Sequence, residues 1–151
     1  MTYELRPVGT AAEWQAMHDI RRATLFAPGR HGDEVVYDAN HPDDRQPDNQ
    51  PFLLLIDGAL GGVVRLDRRG PAGGVVRLVA ITPALQRHGH GRAMDELVAV
   101  EARRRGMARL FVNAHESAVG FYERTGWSRE AWDPSELVGL AIHCVQMAKT
   151  L

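Results

Sequence analysis

The chain has 151 residues, of which 44% are hydrophobic and 25% charged, and its formal net charge is −1. That length predicts one domain with a continuous core, and the charge balance excludes the basic excess expected of a nucleic-acid-binding protein. Cys144 is the single cysteine, which excludes an intrachain disulfide and argues against a zinc–thiolate cluster.

Tyr3-Glu4-Leu5-Arg6 alternates and predicts a first strand. Its charge is unlike a signal peptide, and no apolar run approaches bilayer length, so a cytoplasmic protein with no membrane partner is expected. Thr10 and Glu13 have capping-box spacing, and Trp14, Met17, Ile20 and Ala23 continue at helical intervals. This helix should end before Pro28-Gly29. Residues 28–51 read as a long loop with a short turn from Asp33 to Tyr37, a candidate lid on the substrate side. Its Asp33, Glu34, Asp38, Asp43, Asp44 and Asp48 could attract a cationic amine, although a solvated acidic loop is the commoner case.

Phe52–Ile56 and Val63–Leu66 predict a hairpin around the glycine-rich stretch 57–62. A strand follows over Val75–Ile81 and stops at Pro83. Next comes Gln86-Arg87-His88-Gly89-His90-Gly91-Arg92, then an amphipathic helix from about Gly89 to Arg105. Gly106 is its C′ residue, and Arg103-Arg104-Arg105 complement its dipole. A buried-type strand over Met107–Asn113, a short helix over Ser117–Arg124, and strands near Trp127–Trp132 and Leu140–Met147 complete the chain. Cys144 should face inward on the last of these. The order is that of a single α/β sheet domain.

Two glycines one residue apart at a helix start turn backbone N–H groups toward an anion, which the helix dipole also favours. Neither a kinase-type phosphate loop nor a complete Gly-x-Gly-x-x-Gly is present. Ile81-Thr82-Pro83-Ala84-Leu85-Gln86-Arg87-His88-Gly89-His90-Gly91 resembles the acyl-CoA signature of the GNAT superfamily of N-acetyltransferases. Ala118-Val119-Gly120-Phe121-Tyr122-Glu123-Arg124-Thr125-Gly126-Trp127 resembles that superfamily's Ala-x-x-Phe-Tyr-x-x-x-Gly-Phe segment. The two stand in the expected order and separation, whereas the chain before residue 74 matches by layout only.

The resemblance implies a single GNAT domain over residues 1–151: a mixed central sheet, flanked by helices, in which the fourth and fifth strands splay apart. Acetyl-CoA would be the cosubstrate, its pantetheine arm bonding the backbone of Val79 and Ile81, with the Ile81 N–H polarising the thioester carbonyl. The pyrophosphate would sit on Gln86, Arg87, His88, Gly89, His90, Gly91 and Arg92. Tyr122 would be the general acid for the departing thiolate. His115 stands where related sequences carry Asn or Gln near the cofactor arm, and cofactor contact, base and helix cap all remain open for it. Asp67, Glu34, His143 and His41 are candidates for a base, and none is singled out. His88 and His90 read as phosphate-side or solvent-facing groups rather than metal ligands.

The expected partner is a small-molecule or peptide amine, and the tail offers a homodimer contact. A non-catalytic acyl-CoA sensor and a nucleotide-binding domain are the competing functions.

Overall fold

The computed structural model describes residues 1–31 and 35–151. The turn expected from Asp33 to Tyr37 and the candidate base Glu34 therefore fall wholly or partly outside the described residues. The sheet has seven strands in the order β1-β2-β3-β4-β5-β7-β6. These are β1 (Tyr3–Pro7), β2 (Asn49–Ile56), β3 (Ala59–Arg69), β4 (Gly73–Ile81), β5 (Arg109–Ala114), β6 (Ser128–Arg129) and β7 (Val145–Thr150). β4 and β5 run parallel, so a crossover must join them. That crossover is α2 (His90–Arg104); α1 (Ala11–Ala23) and α3 (Val119–Arg124) are the other helices. No helix among the described residues is long and apolar enough to cross a membrane.

Local chemistry places most of these elements. Thr10 Oγ1 accepts the Glu13 N–H at 3.1 Å, and the Glu13 carboxylate accepts the Thr10 N–H at 2.8 Å, so the expected capping box starts α1. The β2–β3 hairpin is tighter than expected: Asp57 (φ 50°) and Gly58 (φ 82°) form its two-residue turn, as Asp-Gly favours. Gly61 and Gly62 lie inside β3, where a Cβ on Gly62 would stand 2.7 Å from the Ala80 carbonyl oxygen.

The tail departs from expectation. β6 covers only Ser128–Arg129 and β7 begins at Val145, with 3₁₀ turns at Pro134–Glu136 and Gly139–Ala141 between them. The Asp133 carboxylate accepts the Ser135 N–H at 3.2 Å and winds the chain away from a strand. Leu140 and Ile142 are 57% and 58% exposed, so their alternation has no sheet to face. Cys144 precedes β7 and is half-buried rather than an inward strand residue, and burial pushes its thiol up.

Side chains alternate across the sheet. Phe52, Leu54, Val64 and Leu66 pack beneath α2 and α3, whereas Leu53 and Val63 pack with Met17 and Ile20 of α1. The α1 face also carries buried charge. Asp44, 4% exposed, accepts from Arg21 Nη1 at 2.8 Å and Arg65 Nη1 at 2.9 Å. It therefore locks the Pro42–Arg45 turn onto α1 and β3, and its charge is neutralised there instead of facing an amine. Burial alone would push the Asp44 carboxyl up, but the two arginines outweigh it and hold it below the usual carboxylate range.

Removing one partner of a buried ion pair strands the other charge, so Asp44→Ala should cost about 3–5 kcal/mol in denaturant unfolding. A lowered folded-state pKa contributes stability above the ordinary carboxylate value of about 4, lost as pH falls through the folded value. Asp44→Asn should therefore remove part of the wild-type loss of stability below about pH 4, measured by urea midpoints across that range.

Candidate functional site

β4 and β5 pair from Gly73↔Arg109 to Val76↔Val112 and then part. At the vertex, Arg77 of β4 and Asn113 of β5 both donate to Oε1 of Glu136, at 2.9 Å and 3.0 Å. Just beyond it, β4 bulges. Val63 faces Ala80 and Arg65 faces Arg77, so Leu78 and Val79 together oppose Val64, and Leu78 takes φ 54°. Bulges of this kind bend a strand and re-aim its backbone. The Thr82 N–H donates to the Gly61 carbonyl of β3 at 2.9 Å. Backbone groups alternate along a strand, so those of Ile81 face the open side that β5 has left. The Ile81 carbonyl accepts Gln86 Nε2 at 2.9 Å.

The loop after β4 has the geometry of an anion cradle. Arg87 (φ 66°) and Gly89 (φ 83°) are both left-handed, a backbone pattern that turns successive N–H groups into a concavity. Among the described residues, no backbone carbonyl or side chain accepts from the N–H groups of Arg87 to Arg92, whereas Ala93 N–H returns to the Gly89 carbonyl. Gly89 is the N-cap of α2 and offers no capping side chain. A cavity of about 280 Å³ opens on this loop, between Ile81 and Leu85 on one side and Phe121, Arg124 and Thr125 on the other. Arg87 and Arg92 line it too, so its positive charge suits a diphosphate.

The loop side chains divide. Arg87 and His88 are exposed. Arg92 Nη2 donates to the Arg124 carbonyl at 2.9 Å, tying α2 to α3. His90 is 6% exposed and does not face phosphate or solvent as expected: its Nδ1 lies 2.9 Å from the Tyr3 hydroxyl. Its backbone N–H has no acceptor among the described residues.

Gly91 and Phe121 are shared with a second, narrow space of about 10 Å³ that Val79, Met94, Asp95 and Tyr122 also line. Tyr122 is buried, edge-on to Phe121 and Trp127. Burial, with the Asp95 charge adding to it, pushes its phenol well up. Asp95 accepts from Trp127 Nε1 and from Lys149 Nζ, each at 3.0 Å. Asp95 and Lys149 are functional-site neighbours that sequence reasoning missed; the signal was a lone acid beside Met94 and Val98 on the apolar face of α2.

His115 follows β5, where its Nδ1 meets Ser117 Oγ at 2.8 Å and accepts the Ser117 N–H at 3.2 Å. It caps the 3₁₀ turn over Glu116–Ala118. The described candidate bases, Asp67, His41 and His143, are not brought together. Arg65 and Arg77 take both carboxylate oxygens of Asp67, at 2.7–3.0 Å. His41 caps the Pro42–Arg45 turn, and His143 is exposed.

A family model described as an acetyltransferase (GNAT) domain matches residues 26–151. No curated protein matches the chain in sequence. Among solved structures, an acetyltransferase of the GNAT family from Staphylococcus aureus superposes with a TM-score of 0.77 at 12% identity, covering 99% of each chain. An aminoglycoside 6′-N-acetyltransferase complexed with coenzyme A gives 0.74 at 15% identity, over 99% of this chain and 97% of that one. The ribosomal-protein-S18-alanine N-acetyltransferase from Escherichia coli gives 0.69 at 17% identity, over 99% and 94%. At such identities the likeness is one of fold.

A Cβ on Gly91 would stand 3.5 Å from the Phe121 ring, an ordinary contact. Gly91→Ala should therefore bind coenzyme A within about twofold of wild type in calorimetry. Gly91→Leu, whose branch would fill the join between the two spaces, should weaken it by about tenfold or more.

Proposed function

The chain belongs to the GNAT acetyltransferase family, with acetyl-CoA as its cosubstrate, and on that premise we propose that it acetylates the primary amine of a small molecule or peptide by direct attack on the thioester. The observation that carries this reading is the adjacency of two spaces that share Gly91 and Phe121. Arg87, Gly89, Gly91 and Arg92 of the loop line one cavity with Ile81 of β4, and Gly91 and Phe121 also border the adjoining narrow space that Val79 and Tyr122 line.

In this reading the diphosphate lies on the loop amides and the pantetheine arm runs along β4, bonding the backbone of Val79 and Ile81 as a further strand would. His115 meets the arm from the β5 side. The Ile81 N–H donates to the thioester carbonyl, where negative charge develops as the amine attacks. The new C–N bond forms, the C–S bond breaks, and the Tyr122 hydroxyl gives its proton to the departing sulfur. A phenoxide beside Asp95 in apolar surroundings is costly, so it recovers a proton through water from the amide nitrogen being formed. Asp67 is held by Arg65 and Arg77, so no base is assigned and the amine arrives neutral.

The phenol is raised above its ordinary value of about 10, so it stays protonated throughout the neutral and mildly alkaline range. The value of kcat/KM should accordingly rise through the pKa of the acceptor amine, with no fall from Tyr122 below about pH 10. Tyr122→Phe should keep that profile and lower kcat by about 100-fold, with coenzyme A affinity within about twofold. Release of free thiol from acetyl-CoA, screened against pooled amines, amino acids, peptides and aminoglycosides, measures the pH profile and kcat, and calorimetry measures the affinity. Coenzyme A binding without thiol release for any amine would make the domain a binding module instead.

A further inference from the structure

The first turn of α2 is held without the devices that usually hold one. Its N-cap, Gly89, has no side chain, and no acidic residue stands in the first turn. Either device would stabilise the turn by occupying the N–H groups that an anion needs. Arg87, two residues before the N-cap, adds a cost, because a side chain at φ 66° is disfavoured relative to glycine. Something else must keep this segment in place.

The structure supplies it from the opposite end of the strand order. Tyr3 belongs to β1, the edge strand, opposite Ile56 of β2. Its hydroxyl shares the 2.9 Å hydrogen bond with Nδ1 of His90, the first residue of α2, and the two rings meet edge-on with centroids 5.8 Å apart. His90 is buried while its neighbours His88 and Gly89 are exposed. The contact therefore fastens the middle of the cradle by a side chain and leaves its amides free.

We propose that Tyr3 is a positioning residue for the donor, acting through His90 to keep the loop amides converged on the diphosphate before acetyl-CoA arrives. The inference rests on reading the loop as a diphosphate cradle. Its physical content is preorganisation: with the tether cut, the first turn frays, and binding must restore an order that wild type already has. Neither residue touches the reacting atoms, and the pantetheine half of the donor lies along β4, away from the tether. The loss should therefore be confined to ligands that carry the diphosphate.

The test compares coenzyme A, titrated by calorimetry, with pantetheine, titrated by NMR shifts, on the full chain. Wild type should bind coenzyme A at least about 100-fold more tightly than pantetheine. Tyr3→Phe should weaken coenzyme A about fivefold and leave pantetheine within about twofold. His90→Leu cuts the same bond from the other side and should match it, and the double variant should lose no more than either single one. His90→Gln, which retains a hydrogen-bonding group, should recover part of the affinity. Equal weakening for both ligands would overturn the tether in favour of a general loosening, and so would unchanged coenzyme A binding in Tyr3→Phe. A wild type that does not prefer coenzyme A to pantetheine would overturn the cradle reading itself.

Discussion

Two parallel strands that stop pairing partway along are the constraint on which the rest of this protein hangs. β4 and β5 leave each other after Val76 and Val112, and backbone groups left without partners are expensive unless water or a ligand meets them. The vertex is held by side chains instead of a ladder. Glu136, from the irregular segment before β7, takes a hydrogen bond from each strand through Arg77 and Asn113. The bulge at Leu78 then turns β4 aside. The opening, the free edge and the cavity beneath the α2 loop are consequences of that parting.

The faces of the sheet treat polarity in opposite ways. Toward α2 and α3 the interior is apolar, and the exceptional charge, Asp95, is matched by Lys149 and Trp127. Toward α1, a line of alternating charges runs Arg21, Asp44, Arg65, Asp67, Arg77, Glu136. It ties helix, loop, β3, β4 and the segment before β7 into one unit. Buried pairs of this kind add little net stability relative to an apolar core, yet each becomes costly to break. Their value here is geometric, because the bulged part of β4 is anchored through Arg77 at the point where it must not drift back to β5.

How far sequence reasoning reached depended on the distance over which each interaction acts. The capping box at Thr10 and Glu13, the Asp57-Gly58 turn and the left-handed Gly89 are contacts between near neighbours, and their residue types announce them. Alternation in Ile142-His143-Cys144 suggested a strand, but a strand also needs a partner, and Asp133 and Pro134 had already turned the chain away. Asp44 reads as one of many loop acids until Arg21 and Arg65 are seen to converge on it from α1 and β3. His90 sits in a glycine loop that faces solvent on paper, yet its ring is claimed by Tyr3, 87 residues earlier.

The sequence by itself determined the family, through the resemblance of two motifs, and the strand–loop–helix order around Gly89 and Gly91, because those depend on residues close together in the chain. It also named Tyr122. Only the tertiary structure decided the electrostatic setting of that phenol, the neutralisation of Asp67 and Asp44, and the direction in which His90 points. Charge pairing, burial and ring contact arise between segments far apart in the chain, where spacing in sequence carries no information about separation in space.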